Sequence, residues 1–253
     1  MNDRRVQISI FLIILTCAMT GLSMAEDKVP NMIGLGVALR QEPYKGMDDD
    51  IVPMPIMTWE KDRFFVKGLK AGYNLFGSEG LKINSIIKPR LMGYDSSDSI
   101  YLNGMADRDF SLDGGGEIIY KFKDFYDISL GASFVADMLS KHEGYEGAVN
   151  LSKMFIIRPL FIQPGLSVSW QSKDMIDYYY GVRQEEAIAG RPAYSPDSSI
   201  KGSINLSMWF ALSKKWMIFT RGGVEFFDNE VKNSPIIEDD YSLSGSIGIA
   251  MLF

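Results

Sequence analysis

The sequence predicts an all-β chain: an antiparallel transmembrane β-barrel of about 10–12 strands, closed by pairing of its first and last strands. Three observations point there. The chain opens with an export signal, most of the remainder alternates apolar with polar residues, and its connections alternate between short and long.

At the amino terminus, Arg4 and Arg5 precede the apolar stretch 8–19, and Ser23 and Ala25 occupy the small-residue positions of a cleavage site before Glu26. The stretch falls short of the roughly 20 apolar residues that a membrane-spanning helix needs. Residues 1–25 are therefore read as a cleaved signal peptide and 26–253 as the barrel. The single cysteine, Cys17, lies within that signal. A lipid anchor on Cys17 is the rival reading, but Thr16 is bulkier than the small residue expected before a lipidated cysteine. The mature chain then has no thiol, which excludes disulfides, zinc–thiolate sites and cysteine nucleophiles. A formal charge of −6 and a pI near 5.0 argue against a nucleic-acid partner.

The carboxy-terminal run shows the alternation most plainly. Tyr241, Leu243, Ile247, Ile249, Met251 and Phe253 share one face, and Ser242, Ser244, Ser246, Gly248, Ala250 and Leu252 share the other. An apolar face ending in an aromatic residue suits a lipid-facing strand. Tyr241, Ile247, Ile249, Met251 and Phe253 are accordingly the expected barrel-assembly signal. Similar runs cover roughly 31–40, 52–59, 63–76, 81–94, 110–121, 126–138, 145–157, 160–171, 200–212 and 216–227.

Counting back from Phe253, the connections read long at 229–240, short at 213–215, long at 173–198 and short at Arg158 and Pro159. They continue intermediate at 140–144, short at 122–125 and long at 95–109. Short periplasmic turns alternating with longer outer loops are the pattern of this class. Eleven runs, however, break the expected even number. A tight turn at Lys67 and Gly68, where the apolar phase flips, gives twelve strands; a bulge at 60–62 gives ten. Twelve is favoured. Aromatic residues near run ends (Trp59, Phe64, Phe65, Tyr73, Tyr94, Phe122, Phe125, Tyr126, Trp170, Trp216 and Tyr241) are expected to form interfacial girdles.

The inner face is expected to carry Lys82, Lys88, Arg90, Asp113, Glu117, Lys121, Glu146, Lys201, Arg221 and Glu225. Mixed signs neutralise one another across a narrow lumen, whereas a selective pore displays rings of one sign. A closed or nearly closed lumen follows. Acidic groups at Asp48 to Asp50, at Asp95 and Asp98, and at Glu238 to Asp240 fall in outer loops and are read as solvated loop charge, with divalent cations near lipopolysaccharide as the lesser alternative. No ligand-like spacing marks a metal site, and no cofactor is expected.

The segment 173–198 is the least barrel-like. Tyr178, Tyr179, Tyr180 and Gly181, followed by Arg183, Glu186, Arg191 and Tyr194, offer stacking surfaces and mixed charge for a loop or lumen interaction. If the loop folds inward, Arg191 and Glu186 are the expected ion pair. Catalysis is not expected: His142, read as a surface loop residue, is the one histidine, and nothing fixes a nucleophile and an orienting acid beside it.

Several short motifs resemble the MipA/OmpV family of Gram-negative outer-membrane proteins. They are Gly34-Leu35-Gly36, Pro53-Met54-Pro55 leading to Trp59 and Arg63-Phe64-Phe65-Val66, Ala71-Gly72-Tyr73, and Tyr179-Tyr180-Gly181-Val182 with Glu186, Arg191 and Tyr194. The resemblance implies a non-catalytic barrel in the outer membrane, in contact with lipid and lipopolysaccharide. In the founding member such a barrel brings a murein-cleaving transglycosylase together with a murein synthase. Other members are linked to adhesion, osmotic response and antibiotic susceptibility. The scaffold is the expected role here, with a narrow passive channel or solute-binding barrel, or a surface adhesin, as alternatives.

Overall fold

Every predicted run becomes a strand, and the two runs in doubt resolve through one tight turn. The computed structural model describes residues 30–122 and 128–253; the expected signal peptide and most of the turn 122–125 lie outside them. In chain order the strands are β1 Met32–Arg40, β2 Asp50–Lys61, β3 Phe64–Lys67, β4 Lys70–Gly77, β5 Leu81–Arg90 and β6 Ser111–Phe122. They continue as β7 Ile128–Asp137, β8 Tyr145–Lys153, β9 Phe155–Ile157, β10 Leu160–Gln171, β11 Ser199–Ala211, β12 Trp216–Phe226 and β13 Tyr241–Leu252. Segments β8 and β9 both pair with β10 and are one strand interrupted at Met154, so the wall has twelve antiparallel strands.

The twelve-strand alternative rested on a turn after Lys67, and it is present: Lys67 pairs with Lys70, and Gly68 takes the left-handed φ of 62° that the turn requires. The competing bulge at 60–62 is absent. Glu60 and Lys61 end β2, and Asp62 with Arg63 form a second tight turn.

Closure comes from β1 against β13, from Met32↔Leu252 to Arg40↔Ser244. This seam is unusually close. A Cβ at Gly34 would lie 2.0 Å from the Ile249 carbonyl oxygen, and one at Gly36 would lie 2.4 Å from that of Ile247. Both contacts are to backbone, so only glycine fits without moving the strands.

The faces sort as alternation requires. Outward residues such as Leu35, Ile204, Ile249 and Phe253 are exposed, as hydrocarbon-facing positions should be. Inward at the short-turn end, Met32, Ile56, Phe161, Ala211, Met217 and Ala250 pack together as a floor to the lumen. Two aromatic assignments need correction. Phe65 turns inward to pack with Ile86 and Val135 across Gly72, and Tyr94 is buried among the outer loops; neither belongs to a girdle. Phe125 and Tyr126 lie outside the described residues.

Candidate functional site

The outer loops do not splay into solvent; they converge over the mouth as a packed lid. Its centre is helix α1, Lys173–Tyr180, which follows directly on β10. Met175, Ile176, Tyr179 and Tyr180 are buried and recur at helical spacing, giving α1 one apolar face. Against that face pack Tyr44, Tyr94, Leu102 and Met105 from the preceding loops and Phe227, Val231, Ile236 and Ile237 from the last. Ser172 accepts the Tyr145 amide at 2.9 Å and so ties the helix entry to β8. Gly144 approaches so near that a Cβ there would lie 2.6 Å from the Met175 nitrogen.

Beyond α1 the motif residues act in turn. The Gly181 amide donates to the Asp177 carbonyl at 2.9 Å and ends the helix. Val182 and Tyr194 then exchange two backbone bonds, 2.8 and 2.9 Å, that close a loop around the short 3₁₀ turn Gln184–Glu186. Glu186 is the hub of that loop. Its carboxylate accepts the amides of Arg183 and Ala106, each at 2.9 Å, and meets one Arg108 guanidinium nitrogen at 3.0 and 3.1 Å. Both side chains of this pair are nearly inaccessible, with 1% and 4% of their surface exposed. Burial alone would raise the Glu186 pKa, but the Ala106 and Arg183 amides and the Arg108 charge outweigh it and hold the pKa below its ordinary value. Arg108 also donates to the Tyr178 carbonyl at 2.6 Å and stacks near the Tyr94 and Tyr178 rings. Burial pushes the Tyr94 hydroxyl up to about 12.

The expected Arg191–Glu186 side-chain pair does not form. Arg191 instead donates to three main-chain carbonyls, those of Tyr101, Asn103 and Glu186, at 2.5, 3.0 and 2.8 Å. The sequence reading erred because a carboxylate five residues away was the nearest visible partner, whereas the folded loops bring Arg108 across 78 residues. Tyr178 accepts the Asp109 amide at 3.0 Å, and Tyr194 donates to the Glu230 carbonyl at 3.0 Å. Arg183 is exposed and lines an outer crevice with Val182, Gln184 and Tyr194. Tyr241, Ile247, Ile249, Met251 and Phe253 lie apart from this group, on the outer wall.

Beneath the lid lies a charged layer held by strands. Arg90 meets Asp113 at 2.6 Å and Glu146 at 3.3 Å, and Lys88 and Gln171 reach Glu146 at 2.8 and 3.0 Å. His142 is not at the surface: its side chain is buried between Asp113 and Tyr179. Asp113, Asp137 and His142 place their ligand atoms within 4.8 Å of one another, a spacing compatible with a metal ion. Each of these ligand atoms already has a hydrogen-bond partner within the protein. Asp137 accepts the amides of Leu139, Lys141, His142 and Glu143 at 2.6–2.9 Å, as well as the Ser111 hydroxyl. The Gly144 amide donates to His142 Nδ1 at 3.1 Å, which assigns the ring proton to Nε2, 3.1 Å from Asp113. The cluster folds the loop after β7. Among the described residues neither ring nitrogen meets a hydroxyl, so no serine–histidine pair is formed among them.

Some outer acidic residues likewise order loops: Asp98 accepts the Asp95 amide, Glu238 that of Gly46, and Asp239 the Gln41 side chain.

The family model described as MltA-interacting protein MipA matches residues 33–253, nearly the whole described barrel. The MltA-interacting protein of Escherichia coli K12 is 26% identical over 95% of this chain and 96% of its own length. The putative outer membrane protein YiaT of the same organism is 24% identical over 87% and 90%, and Omp26La of Vibrio anguillarum 27% over 66% and 64%. Among solved structures, OmpT of Vibrio cholerae aligns over 91% of this chain and all of its own at 8% identity, with a TM-score of 0.39. These relatives are named as interacting or outer membrane proteins. From a closed twelve-strand wall, an apolar exterior and a match spanning β1 to β13, the chain belongs to the MipA family of outer-membrane β-barrels.

Proposed function

We propose that the protein is a non-catalytic scaffold of the outer membrane that holds a murein-processing enzyme against its periplasmic end. The full-length similarity to a protein named for its interaction with MltA carries this reading. The barrel supports it, because lid and floor fill the two ends of the lumen with protein, which suits a platform better than a conduit. Outer-membrane lipid and lipopolysaccharide surround the wall in this reading, and residues 26–253 form the mature protein.

The periplasmic rim supplies the contact. Lys61, Arg63, Arg158, Lys214 and Lys215 are exposed on its short turns, interspersed with Asp62 and Glu79. An acidic surface on the bound enzyme is the complement of such a rim, through steering and partial pairing. The test is capture of a periplasmic transglycosylase by the detergent-solubilised barrel, with and without Lys214→Glu and Lys215→Glu together. Capture by the parent and its loss in the double variant are expected. Steady ion currents from the pure protein in planar bilayers, without capture, would instead establish a channel.

A further inference from the structure

The barrel wall is not of even height. Strand β3 has only four residues and turns back at Gly68 and Leu69, while the strands flanking the β3–β4 hairpin, β2 and β5, continue up to Asp50 and Arg90. Pairing of β2 with β3 stops at Thr58↔Lys67, and pairing of β4 with β5 stops at Ala71↔Ile87. Above that level the facing edges of β2 and β5 have no ladder partner among the described residues. Two strands are missing from the sheet there, so the edges can stand up to about 14 Å apart, three strand spacings. Gly68 and Leu69 form the lower border. The upper border is made by Arg40, which donates to the Leu91 carbonyl, and by Ser99, bonded to the Lys45 carbonyl at 2.6 Å.

Unpaired edges at membrane depth would expose amides to hydrocarbon, where nothing can hydrogen-bond them. The sequence avoids this with proline. Backbone polar groups alternate sides along a strand. The Gly68 amide donates to the Met57 carbonyl at 2.8 Å, so odd-numbered residues of β2 point their amides and carbonyls toward the gap. Pro53 and Pro55 are odd-numbered and carry no N–H. On β5 the Leu81 carbonyl accepts from Ser78 on the β4 side at 2.9 Å, and by the same alternation the gap-facing position is Pro89. Prolines thus stand where three amides would have been left unpaired. They also deny donors to any added strand, which argues against edge-to-edge pairing with another chain.

What the gap does offer is apolar on both sides. Leu69, Ile87 and Leu91 are exposed at its border, and behind it Met54, Ile56 and Ile86 face the lumen. The registers fix those three inward positions: Met54 and Ile56 pair with Gly36 and Gly34, and Ile86 with Gly72. We infer that this gap is a lateral window through which an acyl chain of an outer-leaflet lipid enters the barrel and lies against the half-buried Met54, Ile56 and Ile86 being already packed by protein. The chain supplies the hydrocarbon contact that two absent strands would otherwise give.

The test uses the full barrel in vesicles of dioleoylphosphatidylcholine, with the photocrosslinker p-benzoylphenylalanine introduced singly at three positions. Met54 lies behind the window, Ser203 faces the lumen on β11, and Leu206 faces lipid on the same strand. Mass spectrometry of the irradiated protein reads the lipid adduct. The expected yield at Met54 is comparable to that at Leu206 and several-fold above that at Ser203. A Met54 yield no higher than that at Ser203 overturns the inference. A second variant lengthens the β3–β4 hairpin by two residues on each arm, with folding checked by heat-dependent gel mobility. It should bring the Met54 adduct down to the Ser203 level; an undiminished adduct in the folded variant also overturns the window.

Discussion

The two ends of the lumen are filled by opposite means. At the periplasmic end, strand residues that alternate inward supply an apolar floor from positions spread around the wall, including Met32, Ile56, Phe161 and Met217. At the outer end, loops separated by up to about two hundred residues supply a lid whose apolar centre is braced by buried charge and by bonds to main-chain carbonyls. The floor costs little to order because the sheet already fixes its backbone. The lid must fix long loops as well, and the conformational entropy involved is of order 1–2 kcal/mol per residue. Charge-assisted bonds to loop carbonyls, such as those of Arg191, are the devices that offset it. A lid so built should fail locally, whereas a weakened floor should lower the stability of the whole wall.

Arg108→Ala tests this division most severely. It leaves the Glu186 carboxylate buried without its cation, a change that costs about 3–5 kcal/mol. Protease cleavage within 173–198 should rise sharply while heat-dependent gel mobility still reports a folded barrel. If barrel and lid fail together, the two ends are one cooperative unit. Met217→Ala empties part of the floor, where Met217 is 2% exposed, and should cost about 2–5 kcal/mol. Its expected mark is a lower unfolding midpoint for the barrel, with lid cleavage at 25 °C unchanged.

Acid should separate the ends next. The Glu186 pKa is depressed in the folded lid, so its stabilisation is present above the unfolded carboxylate value of about 4.3 and is lost as pH falls through the lower folded value. Protease sensitivity of 173–198 should therefore rise below about pH 4, and Glu186→Gln should flatten that dependence. The smallest effect belongs to Tyr194→Phe. It removes one hydrogen bond to the Glu230 carbonyl and should loosen the lid by about 0.5–1.5 kcal/mol, read as a modest increase in cleavage rate.

The window between β2 and β5 adds a third region to the contrast. There the wall itself stops short, and proline rather than packing makes the bare edge tolerable. Its borders belong to both ends: Arg40 and Leu91 reach it from beneath the lid, and Ile56 is part of the floor.

The barrel was legible in the amino-acid order because its governing signal is local. A period of two places Leu35, Val37 and Leu39 toward lipid and Gly34, Gly36 and Ala38 toward the lumen, and this needs no knowledge of neighbouring strands. The glycine and phase change at Lys67 and Gly68 likewise announced the turn that makes twelve strands, since a left-handed φ favours glycine. The tyrosines of α1 and the residues that follow were grouped by composition and by family resemblance, and most of them meet in the lid.

Their partners were not legible. Arg108 meets Glu186, His142 retreats beneath Tyr179, and Phe65 turns into the lumen only because closure of the sheet sets distant loops and strands side by side. Strand periodicity tells which way a side chain points but not what it meets, because the meeting partner depends on barrel circumference, strand length and loop return. The chain therefore encoded the membrane-facing cylinder by itself, whereas the lid contacts, the filled ends of the lumen and the gap above β3 were decided by three-dimensional closure.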